Sequence, residues 1–491
     1  MRISKYFFDD FAVGDYVVFE RSYGKEDFAA FAKLSGDRNP LHHDTGFSTT
    51  SGFRSPIVPM HLSLAPLSMV AGMVFPGEPS LYLGHEVRAI GPVFYDEPIQ
   101  YSARIETVNA SHRVLGIRVL GLRSAEVVLD ATMRVQARTA EWTTPPALAV
   151  RKATEPAAAL VTGASGEIGG AIADALAKRG WRLLLQDRGE SEKRERLKDS
   201  LRRHQFEADF VTADLSNAKG QAALLKTIKE RDDLALIVHA ASPRVDAPLQ
   251  DLVAVNFSAL RTIVDAVLPQ MLARQNGAAV LIGSSATELS LRGWEAYAGA
   301  KSMAANLIDR LERSYSGYGI RGITLMPGLV ATEFSKEFRG DIPALLPQEV
   351  ADAVVRALLD RRHEGNVVML EPRREVRGRL GFHSTGGAPD TSNSVLQPVT
   401  GGGGGRAQFP EAELPIAQIV RSVLGLAPQI SLKEAALGVT PGWDSLKHIE
   451  LLLQLESALG IRFAAGEMEA VHHFSALEAL CAQKLSERLR A

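Results

Sequence analysis

Three short runs in this chain of 491 residues place side chains where bonds could be made or broken. Tyr297 and Lys301 stand four residues apart, and on a helix that spacing sets a phenol beside an ammonium. A neighbouring cation favours phenolate, which makes the tyrosine a usable acid or base near neutral pH. Asp37 and His42 lie five residues apart in the turn-rich run SGDRNPLHHD. A carboxylate and an imidazole can serve as the base for a water and the acid at an α-carbon, the two groups that addition of water to an activated double bond requires. Asp444 and Ser445 stand just before the apolar helical run LKHIELLLQLE, where either side chain can satisfy open helix N–H groups. Each run also has a purely structural reading: a solvated helix face, turn formers beside a surface histidine, and an N-cap.

For those side chains to act, their surroundings must position them. Between residues 159 and 372, short apolar runs alternate with helical stretches: ALVTG, a helix from about Gly169 to Arg179, then RLLLQD, FVTADL, LALIVHAAS, AAVLIGSS, GITLMPG and NVVML. Strands recurring between amphipathic helices predict an α/β doubly wound (Rossmann) parallel sheet. The run from Thr162 to Gly169 follows the first strand and opens the first helix, where glycines let a backbone approach a pyrophosphate. Residues 1–145 differ. An apolar helix-like stretch, Ile57 to Val74, precedes the alternating segments IQYSARIETV, VLGIRVLGLRS and EVVLDATMRVQA, which predict an antiparallel sheet wrapped on a central helix.

Residues 409–491 read as a small α-helical bundle. The stretch 375–408, with STGGAPDTSNS and the run Gly401 to Gly405, has too little apolar surface to offset its ordering entropy and reads as a flexible linker. A multidomain chain results, with divisions expected at 1–145, 158–374, 375–408 and 409–491. With 55 Lys plus Arg against 57 Asp plus Glu and 46% apolar residues, its balance argues against nucleic acid or an anionic membrane as partner. Cys481 is the sole cysteine, so neither an intramolecular disulfide nor a thiolate zinc cluster is expected, and no metal site is predicted. The N-terminal run MRISKYFFDDFAVGDY carries acidic residues where a signal peptide needs its apolar stretch, and a cytoplasmic location is expected.

Together with Asn256, the Gly-Ser-Ser at 283–285, and the run from Pro327 to Thr332, the middle block resembles the short-chain dehydrogenase/reductase family over its whole length. That resemblance implies that Tyr297 protonates a carbonyl oxygen during hydride delivery, while Lys301 holds the nicotinamide ribose and depresses the tyrosine pKa. It further implies that Asn256 supports a water relay and that a serine hydrogen-bonds the substrate oxygen. Ser284, thirteen residues before Tyr297, has the usual spacing, and Ser285 is the alternative. The coenzyme, NADPH or NADH, is expected against Thr162, Gly163, Ser165, Gly166, Ile168, Gly169, Asp187, Arg188, Asp214, Leu215, Ala240, Tyr297, Lys301 and Thr332. Asp187 suits ribose hydroxyls and leans toward NAD, whereas the adjoining Arg188 suits a 2′-phosphate. Two positions depart from the family pattern: Glu167 replaces the middle glycine of the turn, and His239-Ala240-Ala241-Ser242 replaces Asn-Asn-Ala-Gly.

From SGDRNPLHHD through FSTTSGFRSPIV to PSLYLGHEVRAIGPVFYDE, the first block resembles the R-specific enoyl-thioester hydratases of the MaoC-like, α+β hot-dog-fold family. The resemblance implies that Asp37 and His42 act on a bound water, the reverse reaction being dehydration of an (R)-3-hydroxyacyl thioester. Met60 stands where the family has the glycine whose N–H polarises the thioester carbonyl, and Pro59 replaces a histidine. From LGVTPGWDSLKHIELLLQLESALGIRF to HHFSALEAL, the last block resembles acyl carrier proteins, implying 4′-phosphopantetheine on Ser445, placed there by a phosphopantetheinyl transferase. The expectation is a multifunctional enzyme of fatty-acid- or polyketide-like biosynthesis that reduces and dehydrates an acyl thioester held on its own carrier. Separate condensing or acyl-loading and acyl-transfer enzymes would supply substrate and remove product, and a homo-oligomer is expected. The alternative is a carrier-fused reductase whose first block is an acyl-binding or dimerisation scaffold.

Overall fold

The computed structural model of the chain describes residues 5–78, 80–155, 157–289, 291–336, 343–359, 366–372, 374–378, 415–424, 473–490 and eight single positions between 432 and 463. Two compact units divide at residue 387. Both catalytic blocks expected from sequence fall in the first.

The N-terminal part of that unit is built on β2 (Tyr16–Arg21), β3 (Ser80–Ala89), β4 (Ile99–Asn109), β5 (Val114–Arg123) and β6 (Glu126–Ala137), an antiparallel sheet in the order β2-β4-β5-β6-β3. Two short strands, β1 (Tyr6–Phe7) and β7 (Glu141–Trp142), pair separately. Four helices precede β3: α1 (Lys25–Ser35), α2 (Thr45–Thr50), α3 (Met60–Ser63) and α4 (Ala65–Met73). The apolar stretch from Ile57 to Val74 is thus not one helix. Its first residues are extended, with Ile57 bridged to Phe94, and Pro66 sits in the first turn of α4, where a missing N–H costs nothing. Leu67, Val70 and Ala71 of α4 share one core with Tyr101, Ile117 and Met133 of the sheet. A buried pair of phenols locks helix to sheet: Tyr101 Oη donates to the Ser63 carbonyl (2.7 Å) and meets Tyr23 Oη at 2.7 Å.

An eight-stranded sheet follows: β8 (Ala158–Thr162), β9 (Arg182–Asp187), β10 (Ala208–Thr212), β11 (Leu234–His239), β12 (Gly277–Ile282), β13 (Ile320–Pro327), β14 (Val367–Glu371) and β15 (Arg374–Gly378). Its order is β10-β9-β8-β11-β12-β13-β14-β15. All neighbours are parallel except β14 and β15. The direction of winding reverses between β8 and β11, and a crevice opens there beyond the strands' carboxyl ends. Helices α5 (Glu167–Ala177), α6 (Glu192–Arg203), α7 (Ala218–Lys229), α8 (Leu249–Val253), α9 (Leu260–Arg274), α10 (Glu295–Tyr315) and α11 (Pro347–Leu359) cover the sheet, which buries two apolar clusters. A π-helical segment, Ala254–Ala259, joins α8 to α9. The joined helix is long and apolar enough to cross a membrane, yet half of its apolar window is buried within the fold. Residues 375–378, assigned to the linker by composition, instead belong to β15, which pairs antiparallel with β14.

The two sheets of this unit are joined through a common core. Leu120, Leu122 and Val127 pack in the same cluster as Leu260, Val264 and Leu268. Beside it lies a polar knot. Ser102 Oγ donates to the Ala273 carbonyl (2.7 Å), and Gln275 Nε2 donates to the Ser102 and Arg118 carbonyls (3.0 and 3.2 Å). Gln275 reaches them because it ends α9 in the left-handed region, φ 48°. Ser102→Ala leaves the Ala273 carbonyl without this buried donor, and a loss of about 1–2 kcal/mol in unfolding free energy is expected by denaturant titration.

The second unit contains helices Pro415–Leu424 and Phe474–Arg490. Ile416, Val420, Leu451, Leu455, Phe474 and Leu477 share its core with Cys481, whose thiol burial pushes up to about 11. Asp444, Ser445 and the run Gly401 to Gly405 lie outside the described residues.

Candidate active sites

A cleft of about 610 Å³ opens over the carboxyl ends of β8, β11, β12 and β13. Gly163, Gly166, Ile168, Gly169, Ala240, Ser284, Tyr297, Lys301 and Thr332 line it, as do Ser242, Leu289, Leu291, Arg292, Trp294 and Phe334. Tyr297 and Lys301 lie on the first turns of α10, both buried. The Tyr297 hydroxyl lies toward the hydroxyls of Ser284 and Ser242, which favour its phenolate. Ser284, and not Ser285, therefore meets the phenol. Lys301 Nζ donates to the Ile282 carbonyl (2.9 Å) and lies 5.9 Å from the Tyr297 ring centre.

Burial dominates the electrostatics here. It pushes Tyr297 up to about 12, with the two serine hydrogen bonds opposing it, and pulls Lys301 down to about 7. The expectation that Lys301 depresses the tyrosine pKa is thereby corrected for the chain by itself, because the ammonium is held back by the same desolvation. Tyr297 is a neutral O–H donor at neutral pH, the state suited to giving a proton to a ketone oxygen.

The chain fits a dinucleotide in the turn before α5. Gly163 adopts φ +67°, and a Cβ there would lie 2.8 Å from the Ala241 backbone nitrogen; at Gly169 it would lie 2.2 Å from the Gly163 carbonyl oxygen. Only glycine gives that close packing of turn on helix. Glu167, the departure from the expected glycine, opens α5 and accepts the Glu333 N–H (3.1 Å) while pairing with Lys193 (3.5 Å). Asn256 sits in the π-helical segment, its Nδ2 bonded to the Leu252 carbonyl (3.0 Å) and its buried Oδ1 without a partner. That orphaned acceptor suits a relay water.

His239, in the second departure, ties these parts together. Its Nε2 meets the Val255 carbonyl (3.0 Å), next to Asn256, and its Nδ1 meets Thr162 Oγ1 (2.9 Å). A carbonyl only accepts, so Nε2 carries the proton and Nδ1 is the acceptor. Burial, reinforced by the nearby Lys301, holds the imidazole down to about 3. Because this lies below the ordinary value of 6.5, the unfolded chain binds a proton that the folded chain refuses between those values. The contribution is fully present above pH 6.5 and is lost as pH falls toward 3. His239→Asn is therefore expected to flatten the acid limb of the stability curve by about 3 kcal/mol at pH 4, read by denaturant titration across pH.

Other sequence-derived coenzyme contacts are placed differently. Asp187 is buried, its Oδ1 accepting from Gly189 N–H (3.1 Å) and from Arg194 (3.2 Å), while its Oδ2 has no hydrogen-bond partner. Arg188 beside it is exposed. Asp214 accepts from the Ser216 N–H and Oγ, Leu215 is buried, and Ser165 does not line the cleft. Thr162 is spent on His239. Sequence reading missed Ser242, Arg194 and the apolar residues Leu289, Leu291, Trp294 and Phe334. Large apolar residues in the stretch leading into α10 were the available signal for Leu289, Leu291 and Trp294.

In the N-terminal part, short polar caps fix the Asp37–His42 segment. Asp37 Oδ1 accepts the Asn39 N–H (3.1 Å), and Asn39 Oδ1 accepts the Leu41 N–H (3.0 Å) at the start of a 3-10 turn. His42 Nδ1 donates to the Ile57 carbonyl (2.8 Å), and its Nε2 lies 3.7 Å from Asp37 Oδ2. His42 Nε2 and Asp37 Oδ2 are too far apart for a direct hydrogen bond but spaced to hold one water between them. Met60 begins α3, and as the first helical residue it has no intrahelical acceptor for its N–H. Among the described residues no group of three or more His, Cys, Asp or Glu could hold a metal ion.

A doubly wound sheet thus brings a glycine turn and a Ser–Tyr–Lys cluster into one cleft. Residues 157–342 match the short chain dehydrogenase family, and residues 12–120 match the MaoC like domain family. The chain therefore contains a short-chain dehydrogenase domain and a MaoC-like domain. It is 32% identical over 194 residues to a very-long-chain 3-oxoacyl-CoA reductase of Caenorhabditis elegans, a match covering 36% of this chain and 61% of that protein. The chain thus spans about three fifths of that relative's length. An uncharacterized oxidoreductase of Staphylococcus saprophyticus is 27% identical over 226 residues, covering 44% of this chain and 96% of the relative. Among solved structures, a 3-oxoacyl (acyl-carrier-protein) reductase from Agrobacterium tumefaciens with NADP bound is 27% identical, with a TM-score of 0.38 over 40% of this chain and 86% of that one.

Proposed function

We propose that this chain reduces a 3-oxoacyl thioester to the 3-hydroxyacyl thioester at the Tyr297 cleft and dehydrates that product, or hydrates the 2-enoyl form, at Asp37 and His42. The observation that carries the reading is that Ser284, Tyr297 and Lys301 line one cleft together with a glycine turn and apolar side chains. A nicotinamide coenzyme, when bound, supplies hydride. Gly163, Gly166 and Gly169 hold its pyrophosphate and Lys301 its ribose. Tyr297 gives its proton to the ketone oxygen, Ser284 donates a second hydrogen bond to that oxygen, and Asn256 Oδ1 holds the water that restores the phenol's proton. Leu289, Leu291, Trp294 and Phe334 receive the acyl chain. Asp187 keeps one unpartnered oxygen suited to a ribose hydroxyl, and Arg188 is exposed and suited to a 2′-phosphate, so the coenzyme is NADH or NADPH.

The hot-dog and carrier assignments rest on resemblance: phosphopantetheine on Ser445 would bring the acyl group to both sites, and the linker would raise its effective concentration there. Cytoplasmic location, homo-oligomerisation and separate loading and condensing enzymes belong to the same proposal. The test loads a synthetic 3-oxoacyl pantetheine onto the full chain with a phosphopantetheinyl transferase, adds NADPH, and weighs the protein. Gain of two hydrogens followed by loss of one water supports both activities. A stop at the alcohol favours a carrier-fused reductase with a scaffolding first domain, and failure to load Ser445 removes the carrier.

A further inference from the structure

Tyr95 lies in the connection between β3 and β4, and its Oη is buried without any hydrogen-bond partner. Its ring stands 6.4 Å from Phe28 in an edge contact, and the same Phe28 ring lies 6.1 Å from His42. The backbone beside Tyr95 is tied to the segment leading into Met60: Val58 N–H donates to the Val93 carbonyl (2.8 Å), and Ile57 is bridged to Phe94. The Ile57 carbonyl also receives His42 Nδ1. One backbone pair therefore fixes the imidazole, the Met60 N–H and the phenol relative to one another.

Two carboxylates, Asp37 and Asp27, act on Tyr95, and with burial they raise its pKa, so the hydroxyl keeps its proton. Neither takes that proton as a hydrogen-bond acceptor. Asp27 Oδ2 accepts the Gly24 N–H (2.7 Å), and Asp37 directs Oδ1 at Asn39 and Oδ2 toward His42. A buried unpaired hydroxyl destabilises a fold, and phenylalanine would fill the same space without that cost. Such a group, separated from His42 by the Phe28 ring, is a donor awaiting an acceptor.

We infer that Tyr95 is a substrate-contacting residue of the MaoC-like domain, its Oη–H hydrogen-bonding the thioester carbonyl oxygen of the bound acyl group. The inference rests on the hydratase reading of that domain. In hydration, the water oxygen bonds to the β-carbon and its proton passes to the Asp37–His42 pair. The C=C electron pair moves to leave an enolate on the thioester oxygen, which collapses as the α-carbon takes a proton from the pair. Nothing is oxidised or reduced. Tyr95 keeps its proton throughout, and its hydrogen bond strengthens as the oxygen gains charge. It is thus a second donor beside the Met60 N–H, at a site where Met60 replaces glycine.

The test is Tyr95→Phe in the full chain, with crotonyl-CoA hydration and thermal melting as readouts. The expected result is a kcat roughly 10²-fold lower, a KM within about threefold, and a melting temperature equal to or above wild type. An active wild type matched in kcat by Tyr95→Phe overturns the Tyr95 assignment alone. A variant that melts well below wild type shows the hydroxyl to be partnered within the fold and also overturns it. A wild type no faster than Asp37→Asn overturns the hydratase reading, and the Tyr95 assignment with it.

Discussion

Tyr297→Phe is expected to leave the chain folded and to lower 3-oxoacyl reduction by roughly 10³-fold or more. The substitution keeps the ring and its contacts with Trp294 (5.7 Å) and Phe334 (6.2 Å). It removes only the hydroxyl, which lies toward Ser284 and Ser242. Neither serine is then stranded, since Ser284 Oγ still accepts the Ala286 N–H (3.2 Å) and Ser242 Oγ still donates to the Pro243 carbonyl (3.2 Å). Stability should change by no more than about 1 kcal/mol. Chemistry responds differently, because no other neutral O–H in the cluster has the phenol's acidity to match a developing alkoxide. Ser284→Ala, which spares the proton donor and removes one hydrogen bond to the substrate oxygen, should cost roughly 10²-fold. The measurement is NADPH oxidation with a 3-oxoacyl thioester, alongside hydration of crotonyl-CoA, which neither variant should alter. Retention of a tenth of the reduction rate by Tyr297→Phe would remove the tyrosine from the role of acid.

Much of this site was legible in sequence because it is locally encoded. An (i, i+4) spacing fixes Tyr297 against Lys301, and a strand, glycine turn and helix in succession fix the Thr162–Gly169 loop, whatever surrounds them. Contributions from distant elements could not be read. Asp187 looked free at the end of β9, yet Arg194 of α6 turns back onto its Oδ1. The tyrosine pKa was expected to fall on the strength of a neighbouring charge, but burial outweighs it and is a property of the whole fold. Ser102 and Gln275 lie 173 residues apart, and nothing local forecasts that their contact would join the two blocks into one compact unit. Composition misplaced β15 in the linker, since backbone pairing asks little of a charged sequence at a sheet edge.

Asp37→Asn is the second large expected effect, a loss of hydration of roughly 10²–10⁴-fold with reduction unchanged. The reason lies in the hydrogen-bond polarity of the pair. Ile57 offers a carbonyl to His42 Nδ1, which commits the proton to that nitrogen and leaves Nε2 a lone pair aimed at Asp37 Oδ2, 3.7 Å away. A water held between them donates one hydrogen to each and turns its own lone pair outward for attack. Asparagine preserves the size of the side chain and can keep its oxygen on the Asn39 N–H, so the turn survives. It then presents an NH₂ donor where the water needs an acceptor, reversing the water's orientation and removing the base. The carboxylate is partly exposed, 38% for its side chain, so folding stability should shift by less than about 1 kcal/mol. His42→Gln should fall as far, while the double variant should fall little further, because two groups gripping one water act as a unit. In a single turnover from the 3-oxoacyl thioester, Asp37→Asn should accumulate the 3-hydroxyacyl product that wild type carries on to the enoyl form. Equal rates of water loss in the two proteins would instead place the MaoC-like domain outside catalysis and leave reduction as the chain's one reaction.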